Sequence, residues 1–131
     1  MSELNGMLGP FAEWLGLDLT EAGADRVVAT WEAREALHQP YGIVHGGVHC
    51  SVVETLASIG AALWLGEDGQ VVGVSNTTDF LRATKDGPLT SVATPVHRGR
   101  LQQVWDVTTS QGDRVVSRGS VRLQNLAADH V

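Results

Sequence analysis

Apolar and polar positions recur along this chain with two different periods, and each change of period marks a new element. Leu4 to Leu15 spaces its apolar residues like a short helix, weakened by Gly9-Pro10. Leu17 to Leu19 and Arg26 to Trp31 read as two strands around a turn signal, Glu21-Ala22-Gly23-Ala24-Asp25. His38 to Val44, with Pro40 and Gly42, reads as loop. From Gly47 to about Leu65 the spacing predicts one long helix, which Gly66-Glu67-Asp68-Gly69 ends. After that the pattern predicts strands over Val71 to Arg82, Leu89 to His97, Leu101 to Thr109 and Arg114 to Leu123. Arg98-Gly99-Arg100 and Gln111-Gly112-Asp113 are the turns between the last three. In the final strand Val115, Ser117, Gly119, Val121 and Leu123 share one side; Val116, Arg118, Ser120 and Arg122 share the other. Strands, a single long helix and more strands predict an α+β fold, an antiparallel sheet curled around that helix.

On a wheel of 100° per residue, Val52, Leu56, Ile59 and Leu63 cluster on one face of the long helix, flanked by Val53 and Trp64. That face is expected to pack on the sheet. Gly47, Ser51, Glu54, Ser58 and Ala61 form the opposite stripe, and Gly46 to Leu65 contains no Lys or Arg. A water-facing stripe usually collects long charged side chains. This one predicts cover by another surface, a second copy of the chain, with room for a narrow ligand.

Bulk composition narrows the partners. The 131 residues suit one domain over 1–131, and 43% hydrophobic with 18% charged residues is a globular balance. A net charge of −6 argues against nucleic acid as a partner. The stretch Val48 to Leu65 includes His49, Ser51, Glu54, Thr55 and Ser58, which argues against a membrane span. The start, MSELNGMLGPF, lacks the pattern of a signal peptide. A single cysteine, Cys50, fits a reducing cytoplasm and reads better as a small buried thiol than as a nucleophile. Histidines 38, 45, 49, 97 and 130 show no metal-ligand spacing, so neither metal nor cofactor is expected.

The chemistry sits at the start of the long helix and one carboxylate within it. A helix N-terminus exposes unpaired N–H groups with partial positive charge, and Gly46 and Gly47 let a ligand atom come close. Such amides suit a phosphate or the oxyanion of an attacked carbonyl. Glu54 stands roughly 10–12 Å further along at 1.5 Å per residue, too far to act on the same atom. Two antiparallel helices related by a twofold axis solve this: the start of one meets the middle of the other. The pattern therefore predicts a homodimer with two composite sites.

Gln39, His45-Gly46-Gly47, Glu54 and Ser58, followed by Asp79-Phe80-Leu81-Arg82-Ala83 and Gly99-Arg100, resemble the hot-dog-fold acyl-CoA thioesterases. The branch with phenylacetate-pathway-like and 4-hydroxybenzoyl-CoA thioesterase-like members is the nearest in pattern, over Gln39 to Leu123. The resemblance implies a sheet wrapped around a central helix, homodimers and often dimers of dimers. It implies that the Gly46 amide polarises the thioester carbonyl while Glu54 acts as base or nucleophile. Gln39 then helps hold the carbonyl or the water, Ser58 orients water or carboxylate, and His45 orients the loop or meets the thioester. The substrate would be an acyl-CoA, or the same pantetheine arm on an acyl carrier protein. Gly47, Arg82, Arg98, Gly99 and Arg100 are the candidates for binding it, with Arg98 and Arg100 as the leading phosphate partners and Arg82 and Lys85 as weaker ones. Some relatives carry a histidine near Thr77-Thr78-Asp79-Phe80; here Thr77, Thr78 or Asp79 would take its place, or the acyl group differs.

Hydrolysis of aromatic or medium-chain acyl-CoA thioesters is the reading these features favour. An acyl-thioester hydratase or dehydratase is one alternative, though that chemistry wants an acid and a histidine converging on the α- and β-carbons. A non-catalytic acyl-CoA-binding homo-oligomer is the other.

Overall fold

A computed structural model of the chain describes residues 2–127. His130 lies outside them. Gly9-Pro10 do break the first helical stretch: a 3-10 turn, Glu3–Met7, precedes helix α1, Gly9–Leu15. Helix α1 ends at Gly16, whose left-handed φ of 87° aims its N–H back at the carbonyls of Ala12 and Glu13. Asp18 fastens the 3-10 turn to the sheet. Its carboxylate accepts from the Asn5 amide at 3.0 Å and from the Ser2 N–H at 3.2 Å, which holds it below the usual carboxylate range.

Strands β1 (Asp18–Ala22) and β2 (Val27–Ala33) precede helix α2 (Gly46–Leu65). Strands β3 (Gly69–Phe80), β4 (Gly87–Arg98), β5 (Gln102–Gln111) and β6 (Arg114–Ala127) follow. They form one antiparallel sheet in the order β1-β2-β4-β5-β6-β3. β3 is made directly after the helix yet pairs with the last strand, so α2 lies across the inside of the sheet and meets β2 through β6. Twelve residues long and mostly exposed, β3 is an edge strand paired on one side only. By length and composition α2 could cross a membrane. In the fold its apolar face is seated against the sheet instead.

That seated face is rotated from the expected one. Val52, Val53, Leu56 and Ile59 are buried as the wheel suggests, but Leu63 and Trp64 are 40% and 38% exposed while Ala61 is fully buried. The centre of the face is set by small residues, because Trp105 of β5 needs a seat. A Cβ on Gly60 would stand 2.5 Å from the Trp105 ring. The indole N–H donates to Gln103 Oε1 at 2.9 Å, and Gln103 Nε2 donates to the Ala61 carbonyl at 3.1 Å and to Asn125 Oδ1 at 2.9 Å. A hydrophobicity wheel favours large side chains; close approach favours the absence of one.

β6 also departs from simple alternation. Thr109 pairs with Ser117 but Ser110 with Val115, so Val116 is an extra residue in a β-bulge. Sides therefore exchange at that point: Val115 is 39% exposed and Val116 only 2%. A second bulge, between Gly73 and Ser75 of β3, lies beside the acid of α2.

Candidate active site

The start of α2 is built from its own capping residue. His45 has extended backbone angles, and its Nδ1 accepts the Gly47 N–H at 2.7 Å. A ring nitrogen that accepts carries no proton, so in the neutral imidazole the proton sits on Nε2 of this exposed side chain. The Gly47 amide is thus occupied, whereas the Gly46 N–H makes no hydrogen bond among the described residues. Of the two amides expected to meet a ligand, the helix leaves one available. Gly46 is also needed for a reason closer to packing: a Cβ there would lie 2.6 Å from the Phe80 ring.

Gln39 joins Gly46 through the preceding loop. Its backbone N–H donates to the Ile43 carbonyl and its carbonyl accepts from Gly42, which folds residues 39–43 tightly. Its side-chain oxygen accepts the Tyr41 N–H. An amide whose oxygen is held this way leaves its NH2 to donate, and Nε2 has no partner among the described residues. Gln39 and Gly46 line one cleft of about 310 Å³ with Ile43, Val44, Phe80 and Arg82. Two unspent donors on one small cleft form an arrangement able to stabilise an oxyanion.

The acid is elsewhere. Glu54 lines a different cleft, of about 510 Å³, between α2 and the N-terminal segment, with Met7, Phe11, Ser58, Ile59 and Asn76 among its neighbours. Its carboxylate leans over the bulge in β3, where a Cβ on Gly73 would meet it at 3.5 Å. It has neither ion pair nor hydrogen bond among the described residues. Ser51 and Thr55 spend their hydroxyl protons on the carbonyls of Gly47 and Ser51, both at 2.7 Å. Ser58 lines the same cleft one turn beyond Glu54 but makes no hydrogen bond to it. Eight residues of helix separate Gly46 from Glu54, about 12 Å. The one-chain fold holds donors and acid in separate clefts.

The expected basic cluster is likewise divided. Arg98 donates to the Ala24 carbonyl at 2.7 Å and to Asp25 at 2.8 Å, and its guanidinium lies over Trp64, 5.7 Å from the ring centroid. It ties the β1–β2 turn to the far end of α2. Gly99 and Arg100 belong to the same end, where their carbonyls accept from Asn125. Trp64 follows Gly46 by eighteen residues, about 27 Å of helix. Arg82 instead lines the donor cleft, and Lys85 borders the loop that carries Gln39.

The residue that sequence spacing does not single out is His49. It is 3% exposed, points into the core side of α2, and lines the donor cleft. Its ring meets Trp31 edge-on at 5.7 Å and lies 6.1 Å from Phe80. Nδ1 is sealed from water with no partner among the described residues. Such an atom costs about 1–3 kcal/mol. Burial pushes its pKa below the ordinary histidine value, so the ring is neutral at pH 7. Thr77 and Asp79, considered as stand-ins for a relative's histidine, are exposed on β3, while the imidazole beside Phe80 comes from the helix. Its i,i+3 spacing from Gly46 was the available signal.

A sheet wrapped around one helix, with unspent N–H donors at the helix start and an unpaired acid on the helix's outer stripe, defines the α+β class to which this chain belongs. Comparison gives the family. Residues 41–118 match the family model described as "Thioesterase superfamily". AziG of S. sahachiroi is 57% identical in sequence, with a TM-score of 0.89 over 92% of this chain and 98% of that one. The Mycobacterium tuberculosis protein Rv1847 is 52% identical over 91% of this chain and 88% of its own. The proofreading thioesterase EntH of Cronobacter turicensis is 37% identical over 76% of this chain and 73% of its own. The chain belongs to the thioesterase superfamily and has its hot-dog fold, a family of thioester hydrolases.

Proposed function

We propose that this protein hydrolyses acyl-CoA thioesters at sites shared by two copies of the chain. The observation that carries the reading is the separation just described: the donors of Gly46 and Gln39 are unspent, Glu54 is unpaired, and about 12 Å of helix keeps them apart. In an antiparallel pair the Glu54 cleft of one chain receives the donor cleft of the other. The exposed edge of β3, with its row of unpaired backbone groups, is the natural place for a second copy to add its own β3. A dimer of such dimers is compatible with the same edge pairing.

The thioester carbonyl sits against the Gly46 N–H and the Gln39 NH2. Glu54 of the facing chain supplies the electron pair, either by taking a proton from water as that water attacks or by attacking the carbonyl carbon itself. Charge gathers on the carbonyl oxygen, where the two donors hold it. Collapse expels the CoA thiolate, which takes the proton that Glu54 removed from water; where Glu54 attacks the carbon instead, water then cleaves the resulting anhydride to free acid, restores the carboxylate and supplies that proton. His45 presents Nε2–H beside the thioester, and Ser58 orients the water or the carboxylate. Met7, Leu8, Phe11 and Ile59 give the Glu54 cleft an apolar wall suited to an aromatic or medium-chain acyl group. Arg82 and Lys85 stand nearest the donor cleft for the CoA phosphates, with Arg98 engaged inside its own chain.

Release of free thiol from a panel of acyl-CoAs tests this. Wild-type protein should turn over at least one member, and Glu54→Ala should lose roughly 10²–10⁴-fold while its mass by light scattering stays that of the wild type. Full turnover by Glu54→Ala would overturn the mechanism. Loss of conjugated absorbance from an enoyl-CoA, without thiol release, would favour a hydratase.

A further inference from the structure

The N-terminal segment walls the Glu54 cleft, and the last turn of its helix α1 is held by a charge from another part of the chain. The last four carbonyls of a helix have no partner within it. In α1 the Gly16 N–H serves those of Ala12 and Glu13, and the Leu17 N–H adds a bond to Ala12 at 3.3 Å. The other two both accept from Arg34, that of Leu15 from Nη1 at 2.8 Å and that of Trp14 from Nη2 at 2.7 Å. The guanidinium also lies over the Trp14 ring, 5.5 Å from its centroid. Arg34 follows β2 and is half-buried, and it pairs with no carboxylate among the described residues. Its charge is spent on the end of α1, where the helix dipole favours a cation. A Cβ on Gly16 would come within 3.0 Å of Nη1, so the seat fits the guanidinium closely.

Seven residues without a side-chain cap at their start are too few to stand by their own hydrogen bonds. Leu8, Ala12 and Leu15 seat one side of the helix in the core, while Phe11, on the cleft, stays 58% exposed. Asp18 ties the segment at its other end, through Asn5 and Ser2. Arg34 is the polar tie on the Phe11 side. We infer that Arg34 is a positioning residue for the acyl group: by holding the last turn of α1 it sets where Phe11 stands over the Glu54 cleft, and so how large an acyl group gains from that wall. The inference rests on the reading above, which gives the acyl group to that cleft. Arg34 lines neither the Glu54 cleft nor the donor cleft. Loosening it therefore leaves small acyl groups bound as before and removes only the contacts that a large one makes with Phe11. Lysine would keep the charge but lose the planar fork that spans two carbonyls and lies over Trp14.

The test is calorimetry with CoA thioethers, which bind but cannot be hydrolysed: S-acetonyl-CoA as the small probe, S-phenacyl-CoA and S-(2-oxodecyl)-CoA as the large ones. The affinity ratio of the better large probe to the small one cancels the CoA they share. Wild type should favour a large probe, and Arg34→Gln should lower the ratio roughly fivefold or more by weakening the large probe alone. Arg34→Lys should fall between the two. Phe11→Ala should lower the ratio as well, and the double variant no further than Phe11→Ala, because the arginine acts through that ring. A wild-type ratio near one, an unchanged ratio in Arg34→Gln, an equal loss for both probes, or additive effects in the double variant would overturn the inference. Should Arg34→Gln fail to fold, Arg34→Lys decides, and a ratio equal to wild type counts against it. Thiol release from the matching acyl-CoA thioesters is measured separately. A ratio that behaves as expected with no thiol released defeats the hydrolase reading alone; thiol released with an unchanged ratio defeats this inference alone.

Discussion

Two crippled variants should restore each other. Gln39→Ala removes a donor from one cleft, and Glu54→Ala removes the acid from the other. Within a chain the two positions serve different clefts, and the helix between Gly46 and Glu54 spans about 12 Å, several times the ~3 Å reach of a reacting group. If every site combines the donor side of one chain with the acid of its mate, a mixed dimer has one site carrying both lesions and one carrying neither. Random reassortment makes about half the dimers mixed, so about one quarter of all sites are intact. Each homodimer is expected to fall by roughly 10²-fold or more, for a lost oxyanion donor or a lost base. Recovery to about one quarter of wild-type activity therefore stands far above either parent. The assay is co-refolding of the two variants, native mass spectrometry to count mixed dimers, and thiol release from an acyl-CoA. Mixed dimers that form in the expected proportion yet work no better than the mean of their parents would refute the shared site.

Gly60→Ala should lower stability, despite the roughly 1 kcal/mol that alanine gains over glycine in a helix. Its Cβ would fall 2.5 Å from a Trp105 ring held by its bond to Gln103, so a net loss of about 1–3 kcal/mol is expected in urea unfolding, and a gain would contradict the packing. Acid should destabilise the fold through His49: its folded pKa lies below the ordinary 6.5, so the unfolded chain binds the proton first and stability present above that pH is lost as pH falls. Melting temperatures measured from pH 7.5 down to 5 should drop more steeply for wild type than for His49→Gln, and parallel curves would exclude the contribution.

Much of this molecule could be read along the chain. Period-3.6 spacing from Gly47 and its glycine-marked end located α2 to within a residue of Gly46–Leu65. Alternation and turn residues located the strands, because those signals are local. The polar stripe through Ser51, Glu54 and Ser58 was legible for the same reason: helix geometry converts spacing directly into a face. Which large residues the helix buries was not. Leu63 and Trp64 gave way to Gly60 and Ala61 because Trp105, more than forty positions away, fixed the closest approach of sheet and helix. The inward side of β6 depended on a bulge at Val116, which only pairing with β5 creates.

The sequence by itself also set the chemical inventory: an acid without a basic neighbour on its helix, a glycine pair at the helix start, and a glutamine just before it. Tertiary structure decided which of these are still unspent. His45 closes the Gly47 amide and leaves that of Gly46, Tyr41 occupies the Gln39 amide oxygen and leaves its NH2 to donate, and Asp25 with Trp64 holds Arg98 at the far end of α2. A hydrogen bond has one proton to give, and whether it has been given depends on groups brought close by the fold. Spacing along a chain cannot register that, and so the sealed nitrogen of His49 came to light only once the sheet had closed around it.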